Sequence, residues 1–208
     1  MLSGLLAWYP EAGIGHMPIT DTRTKRDYFA EYQVLAITDM GKAITDARVQ
    51  LVRKWLIDQE APVLDIGIGC GAFVAAYGFA GGYDVDPKGV AWLVNQGAYV
   101  DPYRENIARY HALTFWDSIE HIEDPGALLG KPDAPRFVFI STPIYPGAAE
   151  TIASKHFKPF EHRWYFTFQG LVRVLAKYGY ALKASNRMEC DLGREDIETF
   201  VFQKEAKQ

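Results

Sequence analysis

The sequence predicts an α/β protein: a doubly wound, mostly parallel sheet with helices on both faces and a terminal antiparallel pair of strands. Three observations predict it. Short apolar runs at residues 63–66, 111–116 and 136–141 have the length and the β-branched or aromatic content of buried strands. The first of them enters a glycine-rich turn, Gly67-Ile68-Gly69-Cys70-Gly71, and a helix from Ala72, the strand-turn-helix unit of parallel sheets. The chain closes on two alternating runs, 180–184 and 198–204, joined by a polar loop holding Gly193 rather than by a helix. Strands joined in that way pair antiparallel.

Composition bounds the class. The 208 residues are 49% hydrophobic and 23% charged, which suits one α/β domain with a sizeable core. No run approaches the length of a membrane span. The first residues lack a basic n-region and meet Trp8, Tyr9 and Pro10 early, so no secretory signal is expected. Cys70 and Cys190 are the two cysteines, which fits a cytoplasmic location and excludes a cysteine zinc cluster. A net charge of −4 argues against a protein that coats nucleic acid.

Taken in order, residues 1–22 read as an irregular arm, dense in Gly, Pro, Thr and Asp. From Thr24 to Glu60 the apolar positions Tyr28, Tyr32, Leu35, Ala43, Ala47, Leu51 and Trp55 recur at helical spacing, with Gly41 between two helices. Arg48, Arg53 and Lys54 read as a solvated face. Tyr28, Phe29 and Tyr32 either pack on the sheet or form a lid. The chain thus divides into an arm with covering helices, 1–59, and a compact cofactor-binding domain, 60–208. The helix from Ala72 reaches about Phe79, and a second strand ends at 82–86. An acid there is placed to accept hydrogen bonds from ribose hydroxyls; Asp84 is the first choice and Asp86 the second. Trp92 either flanks the base of the ligand or packs. Residues 99–110 hold a short third strand near Tyr103, and 171–178 form an amphipathic helix capped by Gly179.

These pieces describe a site for a nucleoside-containing cofactor. Gly67-x-Gly69-x-x-Ala72 satisfies the dinucleotide fingerprint, a weak pattern alone. Asp65 argues the other way, since a carboxylate facing the loop repels a pyrophosphate and attracts an ammonium group. The run Asp65-x-Gly67-x-Gly69-x-Gly71 resembles the first motif of class I S-adenosylmethionine-dependent methyltransferases. The resemblance covers roughly residues 60–204 and implies a Rossmann-like fold. It implies S-adenosylmethionine held by Asp65, Gly67, Gly69, Gly71, Asp84 or Asp86, with Asp117 at its reactive end. In that family a polar side chain after the third strand meets the adenine amine, which makes Glu105 and Asn106 candidates. An NAD(P)-linked enzyme and a regulatory protein that binds S-adenosylmethionine without turnover are the other classes.

Asp117, Glu120 and His121 stand at i, i+3 and i+4 directly after a strand, so one helical turn makes them converge. The run from Phe115 to Ile122 is similar to the fourth motif of the ubiquinone-biosynthesis O-methyltransferases and of the small-RNA 3′-end 2′-O-methyltransferases. That likeness implies a divalent cation (Mg, Mn or Zn) on Asp117, Glu120, His121 and His162, with His156 as the alternative fourth ligand. Asp117 stands where those families mostly carry Glu. The competing reading is a metal-free polar cluster in which Glu120 orients His121. The catalytic candidates are His121, Asp117 and His162. An acid-histidine cluster suits the proton chemistry of a hydroxyl, so O-methylation of a small-molecule or nucleotide or nucleic-acid-end hydroxyl is expected. Between Lys155 and Lys183 six cations face the single acid Glu161. They read as a solvated face or as a site for an anionic substrate.

Overall fold

A computed structural model describes residues 6–18 and 27–205; residues 1–5, and Thr24 at the start of the expected helical region, lie outside them. The described chain opens with β1 (Ala7–Tyr9) and β2 (Ile14–His16), then α1 (Tyr28–Ala36) and α2 (Asp39–Trp55). The alternating part follows as β3 (Val63–Ile66), α3 (Ala72–Tyr77), β4 (Ala80–Tyr83), α4 (Pro87–Asn95) and β5 (Ala112–Trp116). A 3-10 turn (Ile119–His121) leads to α5 (Gly126–Leu129), β6 (Phe137–Pro143), α6 (Ala148–Ala153) and β7 (Trp164–Phe166). The chain ends with α7 (Phe168–Ala176), β8 (Tyr180–Asn186), α8 (Met188–Asp191) and β9 (Ile197–Lys204).

Six strands form the main sheet in the order β4-β3-β5-β6-β9-β8. β4, β3, β5 and β6 run parallel, and β9 runs antiparallel to both β6 and β8. This is the doubly wound sheet with a terminal antiparallel pair that the sequence predicts. The central strands read as mostly apolar runs because both faces are covered. Leu64, Ile66, Leu113, Phe115, Val138 and Ile140 point into one core, while Val63, Ala112, Trp116 and Phe139 point into the other with Val52, Leu56 and Phe73. Each fully buried Val, Leu, Ile or Phe among them contributes about 1.5–3 kcal/mol.

Five local readings need correcting. β8 and β9 are joined through the short helix α8 and not by a loop alone. The arm is not irregular: β1 and β2 form a hairpin, and β2 pairs antiparallel with β7 through Ile14↔Phe166, Gly15↔Tyr165 and His16↔Trp164. The hairpin therefore joins a strand from the later part of the chain. The two covering helices part at Ile37-Thr38, not at Gly41, because Thr38 caps α2 through its hydroxyl and Gly41 N–H, 3.0 Å. Gly41 serves a close approach instead, since a Cβ there would lie 2.0 Å from the Leu35 carbonyl oxygen. The expected third strand is reduced to a single parallel bridge, Gly82↔Tyr99, and Tyr103 lies in a turn with its ring edge-on to Tyr83. α3 ends at Tyr77 because Gly78 turns left-handed (φ 85°), which lets β4 start at Ala80.

Candidate functional site

The loops that follow β3, β4, β5 and β6 gather at one end of the sheet, the end where open α/β sheets bind ligands. The loop after β3 needs its glycines for shape. Gly71 has φ 83°, and a Cβ on it would lie 2.4 Å from the Trp92 ring. Trp92 thus packs against the loop and the Ile68, Val74 and Leu93 cluster. A Cβ on Gly67 would lie 2.6 Å from that of Ser118, whose hydroxyl donates to the Ile66 carbonyl. The loop after β3 is therefore pinned to the loop after β5.

The acids near this loop have different surroundings. Asp65 does not face the loop as a free carboxylate: it is 1% exposed and accepts a hydrogen bond from the Thr114 hydroxyl, 2.6 Å, on the neighbouring strand. Burial pushes its carboxyl up to about 7, against the opposing effects of Thr114 and the Arg48 charge. Asp84 follows β4 and accepts from the Asp86 backbone N–H, 2.8 Å. Burial raises Asp84, against the pull of the Asp86 and Val85 N–H groups. Asp86 is committed as the cap of α4, accepting from Lys88 N–H at 2.8 Å. Both ribose candidates lie between β4 and α4, Asp84 directly after the strand and Asp86 at the helix cap.

Asp117 is separated from Glu120 and His121. Its backbone is left-handed (φ 56°), so it stands outside the 3-10 turn that carries the other two. Arg194 donates to both of its oxygens and Arg48 to one, at 3.1 Å. Glu189 of α8, fully buried, closes the network by accepting from Arg48 and Arg194. Burial pushes the Asp117 carboxyl up, but the two guanidiniums outweigh it and hold it below the ordinary carboxylate range. The spacing argument failed here because i, i+3, i+4 convergence requires helical φ and ψ at every step.

Glu120, His121 and His162 do come together: one ligand atom from each lies within 4.8 Å of the others. Glu120 is buried, accepts from the Thr142 hydroxyl at 3.1 Å, and is pushed up to about 8 by burial and then by the Asp117 charge. His121, the exposed member, places Nδ1 2.9 Å from the Glu161 carbonyl. A carbonyl only accepts, so Nδ1 carries the proton and Nε2 keeps its lone pair. The His121 and His162 rings meet edge-on at 4.6 Å. His162 is 3% exposed, and its Nδ1 has no hydrogen-bond partner. Burial, and then His121, hold His162 well below the ordinary imidazole range. His156 lies elsewhere, its Nε2 on the Glu195 carbonyl at 3.0 Å.

The sequence reading missed Thr114, Thr142, Glu189 and Arg194, and assigned Arg48 to a solvated face. No local signal marks them, because most of their partners lie 22 to 141 residues away, and the five-residue spacing of Glu189 and Arg194 is no recognisable pattern. It also overcounted free charge between 155 and 183. Lys155 pairs with Glu195, Lys158 with Glu161 at 3.5 Å, and Arg163 with Glu123 at 3.8 Å. Two of those acids lie outside the window in which the cations were counted. Among the described residues no helix is long and apolar enough to cross a membrane.

No protein-family model matches the chain, and no curated protein matches it in sequence. Among solved structures it is similar to an S-adenosylmethionine-dependent methyltransferase from Thermotoga maritima, with a TM-score of 0.59 and 12% identity over 86% of this chain and 97% of that one. It is similar to the magnesium protoporphyrin IX methyltransferase of Synechocystis with bound S-adenosylhomocysteine, with a TM-score of 0.58 and 13% identity over 85% and 94%. A cyclase of the 4+2 type is also similar, with a TM-score of 0.55 and 14% identity over 78% and 81%, so the shape alone does not fix a reaction. The chain has the Rossmann-like fold of the class I S-adenosylmethionine-dependent methyltransferases.

Proposed function

We propose that the chain is an S-adenosylmethionine-dependent methyltransferase acting on a hydroxyl of a small molecule, with Glu120, His121 and His162 as ligands of a divalent cation. The observation that carries the cation is His162. Its ring is buried with Nδ1 unpartnered, which costs free energy, and it offers a nitrogen within 4.8 Å of ligand atoms of Glu120 and His121. One carboxylate and two imidazoles suit Mn²⁺ or Zn²⁺ better than Mg²⁺, which prefers an oxygen set. Asp117 drops out of the expected ligand set, being engaged by two guanidiniums.

S-adenosylmethionine, when bound, supplies an electrophilic methyl group on a sulfonium. The chain supplies position. The glycine loop, anchored by Trp92 and Ser118, gives the ligand a close approach to backbone. Asp84 at the end of β4 is the acid for the ribose hydroxyls. Asp65, beneath the loop, ionises for a neighbouring cationic group more readily than for water, which favours an amino-acid moiety over a pyrophosphate. The divalent cation, when bound, would lower the pKa of the acceptor hydroxyl. Thr142 holds Glu120 and the Glu161 carbonyl holds His121, so both present fixed atoms to the acceptor.

A second reading makes His121 a metal-free base, since its Nε2 lone pair is already fixed by the bond at Nδ1. Calorimetry separates the readings. S-adenosylhomocysteine should bind and NAD should not. Mn²⁺ or Zn²⁺ should bind at one site, and His162→Ala should weaken the ion at least about tenfold while leaving S-adenosylhomocysteine within about twofold. NAD binding without the sulfur ligand overturns the cofactor. Wild-type protein that takes up neither ion overturns the cation and leaves His121 as the base.

A further inference from the structure

We infer that α1 is a gate over the cofactor site, with Tyr32 as its plug and the Asp27–Lys88 ion pair as its latch; the inference rests on the cofactor reading above. The plug is seen at Gly69. A Cβ on that glycine would lie 3.4 Å from the Tyr32 ring, so the ring rests in van der Waals contact on the middle of the glycine loop. The latch is at the N-terminal end of the helix, one turn before Tyr32. Asp27 caps α1 by accepting from Ala30 N–H and pairs with Lys88, the second residue of α4. Asp84 and Asp86 stand just ahead of α4. α1 therefore spans from the glycine loop to the helix that follows the ribose acid, the two walls of a nucleoside site. A ligand seated on the loop has to pass Tyr32 or share its place.

The helix is built to come away at small cost. Of its nine residues Phe29 alone is buried, and Val34 and, just beyond, Ile37 are 66% and 71% exposed. Elements with few buried contacts open locally at free energies far below that of global unfolding. α2 is the contrast, burying Gly41, Ile44, Val49, Leu51 and Val52 against the sheet. The two helices meet at a tight elbow, where the Thr38 hydroxyl donates to the Leu35 carbonyl at 2.7 Å. α1 thus has a fixed base, a loose body and a polar tether at its tip. The tether is solvent-exposed, 59% for Lys88 and 45% for Asp27, so salt screens it.

Stopped-flow binding of S-adenosylhomocysteine, read by tryptophan fluorescence, tests the gate. Lys88→Ala, at an exposed position, should speed association and dissociation together by about two- to fivefold and leave Kd within about twofold. Raising NaCl from about 0.05 to about 0.5 M should do the same to wild type and nothing to the variant. Tyr32→Ala should speed association further. A change confined to one rate, no change in either rate, or slower association by Tyr32→Ala overturns the gate. Binding to Tyr32→Ala but not to wild type supports it in its strongest form. Binding to neither protein overturns the cofactor reading on which it rests.

Discussion

Replacing Asp65 with asparagine should stabilise the ligand-free protein at alkaline pH. The carboxyl is raised from 3.8 to about 7, with burial as the main cause. Between those two values the folded chain holds a proton that the unfolded chain has lost, so stability falls as pH rises through the window. At about 1.36 kcal/mol per pH unit, keeping the group in place costs roughly 2 kcal/mol at pH 5 and roughly 4 at pH 8. Asparagine keeps an oxygen for the Thr114 hydroxyl and carries no charge at either pH. Relative to wild type, Asp65→Asn should therefore gain about 2–3 kcal/mol more at pH 8 than at pH 5, by urea denaturation. For a chain of this size that is a melting difference of roughly 5–10 °C. On the proposed role of Asp65 towards the cofactor's amino group, the same variant should bind S-adenosylhomocysteine at least about tenfold more weakly. A gap between variant and wild type that does not change with pH would refute the raised carboxyl.

Two further substitutions test the frame around the site. Glu189→Gln leaves Arg48 and Arg194 facing Asp117 alone inside the protein, and should cost about 3–5 kcal/mol by urea denaturation; a loss under about 1 kcal/mol would make the network a surface feature. Gly71→Ala forces a side chain into a left-handed residue 2.4 Å from the Trp92 ring, and should cost about 1–3 kcal/mol or more along with most of the affinity for S-adenosylhomocysteine. Unchanged melting and affinity together would mean that the loop relaxes without consequence.

What was legible in the sequence is what is decided locally. β3, β5 and β6 are buried on both faces, so each reads as a mostly apolar run whatever its neighbours are. The glycine loop is legible for the same reason, since its shape demands particular residues at particular positions. The small sheet was not. β1, β2 and β7 have three residues each, and the register Ile14↔Phe166 joins segments that no local window contains. The third strand expected within residues 99–110 does not form beyond a single bridge at Tyr99. There the rings of Tyr83, Tyr99 and Tyr103 cluster beside the edge strand β4 in place of a further ladder.

The acid-histidine site divides along the same line. Glu120 and His121 stay together because they are neighbours on one turn. Asp117 leaves them because Arg48, 69 residues earlier, and Arg194, 77 residues later, offer its carboxylate more than the turn does. His162 arrives by a third route. The residues on either side of it bond to the turn through their backbones, Arg163 N–H to the Glu120 carbonyl at 2.8 Å and the Glu161 carbonyl to His121 Nδ1 at 2.9 Å. A residue between two such bonds is held against the turn whatever its side chain. The imidazole at that position, rather than an apolar side chain that would fill the same space with no unpaired nitrogen, is therefore not required by packing. An imidazole there, buried with an unpartnered Nδ1, is what the proposed cation would account for.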